Sequence, residues 1–142
     1  MKIAIAYWSG TGNTEAMARA VAEGAEKRGA AVELLPCAAF DAAQVADFDA
    51  IGFGCPAMGA EVLEEMEFAP MFSSCLPDLA GKPVGLFGSY GWGDGEWMRQ
   101  WEQTCANDGI KLVSEGVICC GYPDESALEQ CRALGEVLAT AI

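Results

Sequence analysis

Five short apolar runs recur along the chain, each separated from the next by a polar or helix-forming stretch. This alternation restricts the fold more than any single residue does. Residues 2–8, 31–37, 48–55, 84–89 and 111–120 read as strands. Residues 14–28 read as a helix with Met17, Val21 and Ala25 on one face and Gly29 as its stop. A short acidic helix is expected within 62–76, and further helices over 96–108 and 126–141. Strands alternating with helices build parallel βαβ units, whose sheet must be covered on both sides. The expected fold is therefore α/β: an open, doubly wound, five-stranded parallel sheet with helices on both faces, in a single domain spanning 1–142. In such sheets ligands bind beyond the carboxyl ends of the strands, where strand order reverses. The loops after strands one, three and four thus become the candidates for function.

Composition removes several function classes. Acids outnumber bases 21 to 8, a formal net charge of −13, so the chain lacks the clustered Lys and Arg that nucleic-acid binding needs. The same field favours basic protein partners. There is no histidine, which excludes Ser-His-Asp and Cys-His nucleophile pairs and His-ligated metal or haem. The seven cysteines form no Cys-x-x-Cys and no disulfide pattern. No run approaches the ~20 apolar residues of a membrane span. A cytoplasmic, monomeric protein without a metal site is expected.

The first loop is Ser9-Gly10-Thr11-Gly12-Asn13-Thr14. At a helix start, unpaired N–H groups and hydroxyl side chains suit a phosphate. It has neither the lysine of a P-loop nor the glycine spacing of a dinucleotide fingerprint. It is equally consistent with a plain Ser/Thr cap. The third-strand loop runs Gly54-Cys55-Pro56-Ala57-Met58-Gly59-Ala60-Glu61. It offers a polarisable thioether, a permissive glycine and a carboxylate acceptor, each of which is also ordinary packing. Cys55 is followed six residues on by Glu61 and not Arg, so it reads as a small core residue rather than a phosphatase nucleophile. The fourth-strand loop, Gly88-Ser89-Tyr90-Gly91-Trp92-Gly93-Asp94-Gly95, alternates glycines with aromatics and makes Trp92 a stacking candidate. Trp97 and Trp101, one helical turn apart, read as core.

Taken together, Ser9–Thr14, Ala57-Met58-Gly59-x-Glu61 and Gly85–Gly93 resemble the short-chain flavodoxins of anaerobic bacteria, and the likeness runs the whole chain. The family brings the strand order 2-1-3-4-5, of which it is the standing example. The resemblance implies one non-covalent FMN. Ser9, Gly10, Thr11, Gly12, Asn13 and Thr14 would hold its phosphate, and Met58 and Trp92 would flank the isoalloxazine ring. Glu61 would accept from the ring N3–H, N–H groups near Gly91 and Trp92 would address O2, and Ser89 would lie near the ribityl chain. Pro56, Ala57, Gly59, Tyr90 and Gly93 complete the expected binding set. The Met58–Gly59 peptide would turn over on one-electron reduction and stabilise a neutral semiquinone. The family varies at the positions of Pro56 and Ala60.

Between Arg28 and Lys82 lie nine acids and no base. Glu61, Glu64, Glu65 and Glu67 would flank the flavin and disfavour the charge of full reduction. The expected function is a low-potential one-electron carrier, cycling mainly between neutral semiquinone and hydroquinone. It would dock transiently on basic patches of reductases and oxidoreductases. An FMN-dependent quinone or flavin reductase of the same fold is the alternative. A response-regulator reading fails, since strands one and three end in Trp8-Ser9 and Gly54-Cys55 instead of acids. Cys119 and Cys120 read as strand thiols.

Overall fold

A computed structural model describes residues 1–141. Five strands are present: β1 (Lys2–Tyr7), β2 (Ala31–Pro36), β3 (Ala50–Gly54), β4 (Val84–Tyr90) and β5 (Val117–Cys120). Four α-helices connect or follow them: α1 (Asn13–Lys27), α2 (Phe68–Cys75), α3 (Glu96–Asn107) and α4 (Glu125–Thr140). All strand pairs are parallel and the order is β2-β1-β3-β4-β5, as the resemblance implied. Strand order reverses at β1, between β2 and β3, which places the switch point beside the first and third loops.

The alternation of side chains in β1 divides the interior into two cores. Ile3 and Ile5 face α1 and α4, packing with Met17, Val21, Phe87, Leu134 and Leu138. Ala4 and Ala6 face the other way, toward α2 and α3, where Phe53, Phe68, Phe72, Trp97 and Trp101 meet. Phe53 and Phe72 stand edge to face at 5.0 Å, and Trp101 lies edge-on to Phe68 and Phe72 at 5.5 and 5.6 Å. Small alanines on β1 leave room for this aromatic layer. Trp97 and Trp101 are buried, as their spacing suggested.

Three expectations need correction. The fifth strand begins at Val117, not 111; before it only Leu112 bridges to Val84. Gly116 N–H turns away from the sheet to donate to Glu102 Oε2 at 2.7 Å. Between β2 and β3 the chain makes two 3-10 turns, 37–39 and 42–47, and β3 itself is trimmed to 50–54. The helix after β3 is not acidic: α2 reads Phe-Ala-Pro-Met-Phe-Ser-Ser-Cys, and the acids precede it. One of them, Glu64, is 6% exposed and turns inward. Its carboxylate accepts from the N–H groups of Met66, Glu67 and Phe68, each at 2.8 Å. It therefore supplies the cap that α2 needs.

Helices α1 and α4 approach until backbones touch. A Cβ built on Gly24 would stand 1.9 Å from the carbonyl oxygen of Arg132, and one on Gly135 the same distance from that of Val21. Backbone cannot yield as a side-chain tip can. In an open helix Gly→Ala adds up to about 1 kcal/mol of stability. Here Gly24→Ala and Gly135→Ala are each expected to remove about 1–3 kcal/mol, read by urea unfolding. Glu64→Gln gives a pH signature. Burial opposes ionisation, but the three N–H donors outweigh it and hold the carboxyl below its ordinary 4.5. That contribution is whole above the ordinary value and fades as pH falls through the lowered one. Near neutral pH the variant should lose about 0.5–2 kcal/mol relative to the native chain. Unfolding below pH 4.5 should show the gap closing.

Candidate functional site

The hydrogen-bond ladder does not stop where the strands stop. Trp8 N–H donates to Gly54 at 3.0 Å, Cys55 to Phe87 at 3.1 Å, Ala57 to Ser89 at 3.0 Å and Gly121 to Tyr90 at 2.8 Å. Four loops are thereby stitched edge to edge on one rigid base. Between them lies a cleft of about 260 Å³. Its walls are Trp8, Gly10, Thr11 and Asn13 from the first loop, Pro56, Ala57 and Met58 from the third-strand loop, and Ser89, Tyr90 and Gly91 from the fourth; Gly121 closes it. Larger hollows, of about 320, 420 and 550 Å³, open around Gly81 and Lys82 and have no buried polar atom lacking a partner on their walls. Another, of about 280 Å³, lies between the third-strand loop and α2 and α3, and Glu61 and Trp101 are on its wall.

Helix α1 starts at Asn13, one residue inside the loop. Its N-cap, Gly12, has φ 94° and no side chain to cap with. Ser9 does that work from a distance, its Oγ accepting from Gly12 N–H at 3.1 Å and Glu15 N–H at 3.3 Å. With both lone pairs so used, its proton remains free to donate. Thr14 is 1% exposed, and its Oγ1 has no partner. A buried hydroxyl without a partner is costly and calls for an explanation.

The loop after β3 is a closed turn. Met58 N–H donates to Val62 at 2.9 Å, and Met58 C=O accepts from Glu61 N–H at 2.7 Å. Overturning the Met58–Gly59 peptide, as expected above, would therefore break a bond. The next peptide, Gly59–Ala60, has neither its carbonyl nor its N–H in any backbone bond among the described residues. Glu61 has φ 52°, the one non-glycine in the left-handed region among them. Its Oε1 is buried without a partner. A Cβ on Gly93 would stand 2.4 Å from that oxygen, so the glycine admits the carboxylate and joins the third- and fourth-strand loops.

Not every expected residue lines the cleft. Ser9, Gly12 and Thr14 are not on its walls, Glu61 packs against Gly93 and lines the 280 Å³ hollow instead, Gly59 has open space around it, and Trp92 is 62% exposed. Two wall residues went unassigned in the sequence. Trp8 borders the first loop; its ring lies so close over Gly10 that a Cβ there would meet it at 2.9 Å, and its Nε1 donates to Glu67 at 3.2 Å. Gly121 ends β5, a strand end the sequence did not single out. Cys55 is fully buried, and burial pushes its thiol up to about 12; Cys119 is pushed up to about 11 in the same way. Neither is a thiolate at neutral pH. Arg99, the base beside the fourth-strand loop, is engaged by Asp94 and Glu96 at 2.9 and 2.7 Å. Among the described residues no His, Cys, Asp and Glu group is placed to hold a metal ion, and no helix is long and apolar enough to cross a membrane.

The flavodoxin family model matches residues 5–135. The chain is 44% identical to a flavodoxin of Megasphaera elsdenii over 139 residues, covering 98% of this chain and 99% of the relative. It is 42% identical to a flavodoxin of Clostridium beijerinckii over 135 residues, covering 95% and 97%. The solution structure of two-electron reduced M. elsdenii flavodoxin superposes with a TM-score of 0.90, covering 97% of this chain and 98% of that one. Sequence and topology thus converge, and the chain belongs to the flavodoxin family.

Proposed function

We propose that residues 1–142 form one FMN-binding unit and that FMN lies in the cleft described above. As a flavodoxin the chain is an electron-transfer protein rather than an enzyme, which removes the reductase alternative. One observation carries the placement. Three buried side-chain polar atoms lack partners; two of them, the Thr14 hydroxyl and the Glu61 carboxylate oxygen, belong to loops that build this cleft, and the third, Trp101 Nε1, is on α3. One can donate and the other accept, which fits a phosphate on one side and a ring N–H on the other.

FMN supplies the one-electron chemistry when bound; the chain's residues hold it and set its surroundings. Ser9, Thr11 and Thr14 donate hydroxyls to the phosphate, Asn13 its amide, and the first N–H groups of α1 add the helix-end field. Gly10 and Gly12 keep that loop's backbone close. The backbone N–H groups of Gly91, Trp92 and Gly93 have no backbone acceptor and are available to the ring's carbonyl edge. Met58 and the exposed Trp92 flank the ring. Pro56, Ala57, Ser89 and Tyr90 form the wall behind it. The Gly59–Ala60 peptide can turn its carbonyl toward the cleft without breaking a backbone bond. The acids of the β3 loop and the paired Arg99 leave the site edge negative, which supports docking on basic patches of redox partners. A monomer in the cytoplasm fits this role.

Anaerobic reductive titration tests the reading. A yellow protein developing long-wavelength absorption at half reduction is expected; direct bleaching, or refusal of FMN, overturns one-electron carriage or the cofactor. Thr14→Val separates binding from folding. It deletes a hydroxyl that lacks a partner in the unliganded chain, so stability without FMN should be unchanged or higher. The Kd for FMN should rise by about 10–100-fold, read by flavin fluorescence quenching. Electron transfer to a basic partner should slow steeply with salt.

A further inference from the structure

We propose that Cys55 is a positioning residue for the flavin site, its sulfur closing the base of the loop that carries Met58 and Glu61. The inference rests on the FMN placement above. Cys55 follows the last residue of β3 and is 0% exposed. Three elements are tied to it. Its N–H donates to Phe87 of β4 at 3.1 Å. Its C=O accepts from the buried Trp97 Nε1 of α3 at 3.1 Å. Its Sγ accepts from the Glu64 N–H at 3.3 Å, nine residues on. That last contact turns residues 55–64 into a ring.

The ring is graded in stiffness. At its base, Glu64 is held twice over: by the sulfur through its N–H, and by the three N–H groups its carboxylate accepts. In the middle, Met58 is bonded to Val62 and Glu61. At the tip, Gly59–Ala60 has no backbone bond. A clamped base confines motion to the tip and holds the partnerless Glu61 oxygen at Gly93. Without the sulfur the buried Glu64 N–H loses its acceptor, and Glu61 loses its fixed distance from the cleft. Of the six other cysteines, Cys75, Cys105 and Cys131 are equally buried and lie in α2, α3 and α4.

The test uses the holoprotein with three cysteine variants and a conservative replacement. In Cys55→Ala the Kd for FMN should rise about tenfold, the equivalent of one buried hydrogen bond. The spacing between the two one-electron potentials should change with it. Cys55→Ser, whose hydroxyl can still accept from Glu64, should return Kd to within about threefold of native. Cys105→Ala and Cys131→Ala should lose comparable stability on urea unfolding yet keep native Kd and potentials. Amide exchange without FMN gives a readout independent of the cofactor. The Glu64 N–H should exchange about tenfold faster in Cys55→Ala and be protected in Cys55→Ser. Native Kd, potentials and exchange in Cys55→Ala overturn the clamp alone. So do Cys105→Ala or Cys131→Ala variants whose Kd rises as much. A native chain that takes up no FMN overturns the clamp and the placement together.

Discussion

The site depends on backbone hydrogen bonds that run past the ends of the strands. Parallel strands alone would leave their carboxyl ends as four separate loops, free to splay. Instead Trp8, Cys55, Ala57 and Gly121 each donate to the neighbouring strand, so the loops inherit the stiffness of the sheet. Binding groups held this way cost little ordering entropy when a ligand arrives. The same stitching explains the glycines at the strand ends beneath the loops: a side chain between Cys55 and β4 would prise the ladder apart. A Cβ on Gly88 would stand 2.1 Å from the Cys55 carbonyl oxygen.

On that base the three loops divide the labour. The first is polar and capped at long range by Ser9, which leaves hydroxyl and N–H donors unspent. The second is a ring closed on itself, rigid except at Gly59–Ala60. The third brings Gly93 against Glu61, so a carboxylate in one loop is positioned by the missing side chain of another. Bases are scarce around this edge, and Arg99 is committed to Asp94 and Glu96. The field there is negative, which disfavours adding negative charge inside the cleft and attracts cationic surfaces from outside.

The acids show how charge and role separate. Nine acids without a base lie between Arg28 and Lys82, and in sequence four of them, Glu61, Glu64, Glu65 and Glu67, read alike as flanking the flavin. In the fold they do different jobs. Glu64 is buried as a helix cap, Glu67 accepts from Trp8, Glu61 stands at Gly93 and Glu65 is exposed. Their linear spacing does not reveal this, because a carboxylate's role depends on which N–H groups the folded loop brings to it.

Much was legible in the chain because it is written in local chemistry. Short apolar runs and helix-type stretches specify five strands and four helices, and their alternation specifies a parallel sheet covered on both faces. Ser9–Thr14, Ala57-Met58-Gly59-x-Glu61 and Gly85–Gly93 carry the family resemblance, since their glycines and hydroxyls are local features of the chain. Boundaries were less legible: β5 begins late because Gly116 spends its N–H on Glu102, a residue fourteen positions earlier. The place of Trp8 in the cleft, the hub at Cys55, the contact of Glu61 with Gly93 and the backbone touch of α1 on α4 were decided only by the tertiary structure. Each joins residues distant along the chain through a close approach of a few ångströms. Sequence carries the period of an element and the chemistry of a loop; which atoms meet depends on how the elements pack.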